Sequence, residues 1–90
     1  MNLTDKNREA LIILMEECGE VVMECSKVLR FESVTCLENL QHEIADVLCM
    51  LEILQEQGVL NLDTDDLTDS IQHKRDRLKE WSSLFNSPET

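Results

Sequence analysis

The sequence predicts an all-α fold made of three helices, and three observations indicate it. Apolar residues recur at helical spacing along most of the chain. No stretch alternates between apolar and polar residues as a half-buried strand would. The strong helix breakers are few, namely Gly19, Gly58 and Pro88. A chain of 90 residues suits one small domain, so we predict a single domain over residues 1–90.

Start and stop signals define the first two helices. The first is predicted over residues 4–31. Thr35 and Glu38 have the Thr-x-x-Glu spacing of a capping box, which predicts that the second helix starts there. This helix is expected to end near Gln57, because Gly58 is suited to the left-handed conformation that follows many helices.

The third helix is predicted to follow a cap at Asp63 or Thr64. Its apolar stripe contains Leu67, Ile71, Leu78, Trp81 and Phe85. Lys74 lies within that stripe, which suggests a phosphate contact, a salt bridge to the acidic residues of the first two helices, or an apolar stem with the ammonium group in solvent. Residues 86–90 are predicted to be a flexible tail.

Composition excludes several classes of function. The formal net charge is -11, with 19 acidic residues against 8 basic ones. Such a surface does not suit a nucleic-acid polymer or an anionic membrane, but it is compatible with metal cations. The N-terminus is polar and no apolar run is long enough to cross a bilayer, so a cytoplasmic location is expected. The four cysteines are expected to be free, buried thiols, since none is spaced as Cys-x-x-Cys.

Carboxylates fall on the predicted buried face of the first helix. Its apolar stripe contains Ala10, Leu14, Val21 and Val28. At about 100° per residue, Glu17 lies in the middle of this stripe, while Glu20 and Glu24 lie at its edge.

The second helix repeats this pattern. Its apolar face contains Leu40, Ile44, Val47, Leu48, Leu51 and Leu54, with Met50 at the margin. Glu43 projects onto that face, and Asp46 borders it one turn later. A short connection predicts that the two helices pack antiparallel, which brings Glu17, Glu20, Glu43 and Asp46 level with one another.

Four facing carboxylates repel one another unless they are protonated or share a divalent cation. An all-carboxylate ligand set favours a hard ion, Mg²⁺ or Mn²⁺. One such acidic pair alone would more often be a solvated helix face. Two pairs at one level on neighbouring helices favour a metal site.

The spacing resembles a known signature. Glu16-Glu17-Cys18-Gly19-Glu20 followed by Glu43-Ile44-Ala45-Asp46 is similar to the EExxE…ExxD motif of the MazG-like all-α nucleoside triphosphate pyrophosphohydrolases. That superfamily includes all-α dUTP and dCTP pyrophosphatases and phosphoribosyl-ATP pyrophosphohydrolase. The resemblance is strong over residues 15–56 and looser across the third helix.

The resemblance implies a reaction and a set of roles. Members hydrolyse a nucleoside triphosphate between the α and β phosphates, releasing a monophosphate and pyrophosphate. Glu17, Glu20, Glu43 and Asp46 would then be the Mg²⁺ ligands. Glu16 matches the first glutamate of the motif and would orient the attacking water or support the ligands from behind.

Cationic side chains near these helices are candidates for binding the substrate phosphates. Lys27 projects from the first helix on the Glu20 side, and Arg30 follows it. With Lys74 they form the predicted substrate-binding set. The alternative for Lys27 and Arg30 is a solvated surface position.

A partner subunit is also expected. Leu11, Ile12, Met15 and Val22 form a second apolar flank on the first helix, broader than one hairpin needs. A homodimer or homotetramer that completes a four-helix bundle would cover it, and the resembling family forms dimers or dimers of dimers. An alternative function is a non-catalytic helical interaction module that retains the acidic motif. A purely structural bundle is a third interpretation.

Overall fold

The computed structural model of the chain describes residues 1–86 and contains three helices: α1 (Asp5–Phe31), α2 (Val34–Glu56) and α3 (Asp65–Trp81). No strand occurs in residues 1–86, so the all-α prediction is confirmed. The chain forms two compact units, one spanning Met1–Leu60 and one that begins at Asn61. Of the predicted tail, residues 87–90 lie outside the described part of the chain.

Helix α1 begins and ends close to the predicted positions. Thr4 caps it, and the Thr4 hydroxyl accepts the backbone N–H of Asn7 at 3.1 Å. Glu32 ends it in the left-handed conformation, with φ 48° and ψ 39°. The Glu32 N–H donates to the carbonyl oxygen of Val28 at 2.8 Å, which satisfies one carbonyl of the last turn.

Helix α2 begins before the predicted cap. Ser33 has an extended backbone, and its hydroxyl accepts the Cys36 N–H at 3.1 Å. Thr35 is therefore already helical, and its prediction as the cap is wrong. The reason is that the left-handed Glu32 reverses the chain at once, so Ser33 becomes the first residue able to cap.

The end of α2 follows the Gly58 prediction. Gly58 has φ 74°, a conformation that glycine adopts without steric cost. Its N–H donates to Gln55 O at 3.0 Å, and the Val59 N–H donates to Leu54 O at 2.9 Å. These two bonds form a Schellman motif, which returns Val59 to the apolar core.

In the second unit, Thr64 caps α3 by accepting the Leu67 N–H at 3.1 Å. This confirms one of the two predicted caps. The helix ends at Trp81, where the Ser82 hydroxyl donates to Leu78 O at 2.7 Å. Phe85 lies beyond the helix, so its predicted place on the α3 stripe is wrong.

Helices α1 and α2 pack against each other. Ala10, Met50 and Leu54 are buried at the centre of the packing. Partly buried apolar side chains surround them: Leu11, Ile13, Leu14, Ile53, Val59 and Leu60. Burial of this apolar surface drives the association of the two helices.

The buried face of α2 is rotated from the predicted one. Met50, predicted at the margin, is buried, whereas Ile44 and Leu48 are exposed. Glu43 is half-buried, Met50 and Leu54 are buried, and these three positions lie seven and four residues apart on one stripe. Helix α1 covers that stripe, so the opposite apolar residues of α2 stay in solvent.

The four cysteines are free thiols, as predicted. Their predicted burial is wrong, since Cys18, Cys25 and Cys49 are exposed and Cys36 is half-buried. Within residues 1–86, none of the helices is both long enough and apolar enough to cross a membrane.

Candidate metal centre

Three carboxylates meet between α1 and α2. Glu17 comes from α1, and Glu43 and Asp46 come from α2. One oxygen from each lies within 4.8 Å of the others. Glu17 and Glu43 are half-buried, and Asp46 is exposed. This arrangement places three carboxyl groups close enough to share one cation.

The helical hairpin produces this arrangement. Only Glu32 and Ser33 separate α1 from α2, so the helices run antiparallel and their midpoints lie side by side. Glu43 and Asp46 are three residues apart and therefore point to the same side of α2. Glu17 lies on the face of α1 that α2 covers, as the predicted stripe requires.

Electrostatics within the cluster oppose ionisation of Glu17. Partial burial raises the pKa of its carboxyl group above the ordinary 4.5, and the negative charges of Asp46 and then Glu43 raise it further. Hydrogen bonding with the Glu43 and Asp46 side chains acts in the same direction. A bound cation would reverse this effect, because it stabilises the ionised form.

An open cleft of about 220 Å³ adjoins the cluster and is lined by Glu17, Asp46, Cys49 and Met50. Its polar wall is formed by the two carboxylates, and Met50 forms part of the apolar wall. Because the cleft is open to solvent, an ion or a phosphate group has a direct route to the carboxylate oxygens.

The other acidic residues predicted for the site lie outside this group of three. Glu20 and Glu16 are both exposed on α1, and neither belongs to the set of mutually close ligand atoms. Three of the four predicted ligands are thus brought together. The roles of Glu20 as a fourth ligand and of Glu16 near the water stay predictions.

The predicted phosphate-binding cations each have a partner. The Lys27 ammonium group lies 3.3 Å from Glu24 Oε1. The guanidinium of Arg30 lies 5.3 Å from the centre of the Phe31 ring. In the second unit, Lys74 Nζ lies 5.2 Å from the centre of the Trp81 ring. Cation–π contacts of this kind are weak when exposed, so both side chains remain able to move to an anion.

The burial of Glu24 was not predicted from the sequence pattern. Helical spacing placed it at the edge of the α1 stripe, yet it is buried. One signal was available in the sequence, since Glu24 and Lys27 have the i, i+3 spacing of a helical ion pair. Cys49, which follows Asp46 by one turn, also lines the cleft without having been predicted there.

The donor set fits a hard divalent cation. Every ligand of the cluster is a carboxylate oxygen, the donor type that Mg²⁺ and Mn²⁺ prefer. Three protein carboxylates beside an open cleft leave room for water or substrate oxygens, which Mg²⁺ usually retains among its ligands.

Comparisons with protein-family models, with curated proteins and with solved structures find no significant match to this chain.

Proposed function

We propose that the chain is a Mg²⁺-dependent nucleoside triphosphate pyrophosphohydrolase of the MazG-like superfamily. The observation that supports this most is the meeting of Glu17, Glu43 and Asp46 within 4.8 Å at an open cleft. The EExxE…ExxD spacing of the same residues in the sequence supports it as well. The proposed reaction cleaves the bond between the α and β phosphates and releases a monophosphate and pyrophosphate.

The acidic residues of the motif would have different roles in this reaction. Glu17, Glu43 and Asp46 would hold Mg²⁺, or Mn²⁺ in its place, and Glu20 would join them as a fourth carboxylate. When bound, the ion polarises phosphate oxygens and lowers the pKa of a coordinated water. Glu16, which is exposed on α1, would orient the attacking water or support the metal ligands, as its place in the motif implies.

Cationic side chains would neutralise the remaining phosphate charge. Lys27, Arg30 and Lys74 are the proposed contacts. The side chain of Lys27 is half-buried beside Glu24. The charged groups of Lys74 and Arg30 lie over aromatic rings, and these weak contacts would give way to a phosphate.

We further propose a homodimer or homotetramer in which neighbouring subunits complete a four-helix bundle. Met15, Val22 and Leu29 are 69%, 70% and 80% exposed. They follow one another at intervals of seven residues, so they form an apolar stripe on one face of α1. Of the predicted second flank, Ile12 is exposed as well, whereas Leu11 packs against the core.

The test is pyrophosphate release from a panel of canonical and modified deoxynucleoside triphosphates in the presence of Mg²⁺. Glu43→Gln keeps the shape of the side chain but removes its charge, so we expect release to fall at least about 100-fold. The matched control is Glu52→Gln, an exposed glutamate of α2 outside the cluster, which should retain wild-type release.

A melting experiment separates catalysis from binding. Mg²⁺ should raise the melting temperature of the wild type and of Glu52→Gln but not of Glu43→Gln, because a ligand stabilises the state that binds it. If no nucleotide of the panel releases pyrophosphate with Mg²⁺ or with Mn²⁺, the proposed enzymatic activity is refuted. If Mg²⁺ still raised the melting temperature, the alternative of a non-catalytic interaction module would stand, and the exposed α1 stripe would be its contact surface.

A further inference from the structure

Glu24 is a buried carboxyl group with an incomplete set of partners. Its side chain is only 9% exposed. Oε1 lies 3.3 Å from Lys27 Nζ, while Oε2 is buried and accepts no hydrogen bond from residues 1–86. Burying an unpaired acceptor is costly, and nearly all such atoms in folded proteins find a partner.

A purely structural role does not explain this arrangement. An apolar side chain of similar size would pack at the same position without the cost of desolvating a charge. Local features that lower stability are concentrated at functional sites. Within residues 1–86, the Glu24 carboxyl group forms its hydrogen bond with Lys27, so its effect should act through that ammonium group.

The position of the pair relates it to the candidate metal centre. Glu24 follows Glu17 by seven residues, which places it on the same face of α1 and about 10 Å further along the axis. Lys27 follows Glu20 by seven residues and therefore projects on the same side as Glu20. The Glu24–Lys27 pair thus lies further along α1 than Glu17 and Glu20, on the same faces of the helix as these two carboxylates.

We propose that Glu24 is a positioning residue, which holds the Lys27 ammonium group ready for a phosphate of a bound polyphosphate chain. This inference rests on the proposed function. An ammonium group has three N–H donors. The ion pair with Glu24 uses one and restrains a long, flexible side chain, and the other two donors stay available for phosphate oxygens. Without Glu24, Lys27 would have to be ordered by the ligand itself, which weakens binding.

The experiment measures binding of Mg²⁺–tripolyphosphate by calorimetry, because this probe carries the phosphates without a base or sugar. The proteins compared are the wild type, Glu24→Gln, Lys27→Met and the double variant. Asp76→Asn is the matched control, since Asp76 and Lys79 form an i, i+3 ion pair that is exposed on both sides.

We expect Lys27→Met to weaken binding about tenfold and Glu24→Gln to weaken it roughly threefold to tenfold. The double variant should bind no more weakly than Lys27→Met alone, because Glu24 acts only through Lys27. Asp76→Asn should bind like the wild type. Circular dichroism checks folding, and Glu24→Asp replaces Glu24→Gln if the amide variant does not fold.

Three results would overturn the inference: no binding of the probe by the wild type, wild-type affinity in Glu24→Gln, or additive losses in the double variant. Pyrophosphate release tells the two proposals apart. Release by the wild type with additive binding losses would remove the role of Glu24 alone. If the binding losses are non-additive but no nucleotide releases pyrophosphate, the role of Glu24 in positioning Lys27 stands and the proposed hydrolase activity is refuted.

Discussion

At Glu17, burial and two neighbouring carboxylates all oppose ionisation, and the pKa of its carboxyl group is raised. The folded protein therefore binds this proton more tightly than the unfolded chain does. The stability that results is fully present below the ordinary pKa and is lost as the pH rises through the raised value. Near neutral pH the cluster weakens the fold unless a cation is bound.

Glu17→Gln should remove this pH dependence. In chelator, from about pH 4 to about pH 8, we expect the free energy of unfolding of the wild type to fall relative to that of the variant. Urea titrations across this range measure the difference. Glu52→Gln, which lies outside the cluster, should keep the wild-type trend, and a parallel course for wild type and Glu17→Gln would contradict the electrostatic account.

Glu32 is the one non-glycine residue with positive φ within residues 1–86. A side chain in this conformation brings its Cβ close to the following carbonyl oxygen, a cost that glycine avoids. We expect Glu32→Gly to raise the free energy of unfolding by about 0.5–1 kcal/mol, after allowing for the greater freedom of glycine in the unfolded chain.

The control for this substitution is Glu32→Ala, which removes the same carboxylate but keeps the Cβ. Denaturant unfolding should show a gain for the glycine variant only. Equal gains in both variants would mean that the charge, rather than the backbone, is responsible.

Among the individual residues of the site, Glu17 was predictable because helical spacing placed it in the middle of an apolar stripe. Glu43 was predictable because it projected onto the apolar face of α2, and Asp46 because it follows Glu43 by one turn. Glu24 was not, since a position at the edge of a stripe can be turned inwards or outwards by a small rotation of the helix. Only packing against the neighbouring helix decides between the two.

The two-residue connection between α1 and α2 determines how these elements meet. The Thr-x-x-Glu spacing of Thr35 and Glu38 predicted a cap at Thr35. The structure uses Ser33, because Glu32 has already reversed the chain. A left-handed glutamate has no reliable sequence signal, so this choice was not available from the sequence.

Ser33→Ala should therefore destabilise the hairpin by about 1 kcal/mol, because the Cys36 N–H loses its acceptor. Thr35→Ala is the matched control, and we expect a change within about 0.5 kcal/mol, since alanine is a good helix former inside the first turn. Thermal or urea unfolding measures both. A larger loss of stability for Thr35→Ala than for Ser33→Ala would show that Thr35 caps the helix, as the capping-box pattern predicts.

The ends of the helices were predicted well where the sequence has a strong start or stop signal. Gly58 determined the end of α2, and the predicted start of α1 matched the Thr4 cap. The end of α3 had no glycine, and the apolar residues continue past Trp81, so the stripe was extended too far. The Ser82 hydroxyl instead closes the last turn by bonding to Leu78.

For the molecule as a whole, the exposed apolar stripe of Met15, Val22 and Leu29 favours association of subunits. If a second copy covers this stripe, Val22→Lys places a charge in the interface and should yield a monomer of 10.4 kDa. Light scattering after gel filtration measures the mass. The control Asn39→Lys adds the same charge at an exposed polar position of α2 and should leave the wild-type mass.

If the wild type already has the mass of a monomer, the proposed association of subunits into a four-helix bundle is wrong. Unchanged association in Val22→Lys, with helical content preserved, would move the interface away from this face of α1.

All three clustered carboxylates and the Glu24–Lys27 pair lie within Met1–Leu60. Under the proposed function, everything that handles the cation is inherited as one uninterrupted stretch of sequence. Substitutions after residue 60 would then leave the proposed metal ligands and the Glu24–Lys27 pair unchanged, and Lys74 is the one proposed phosphate contact that they could replace.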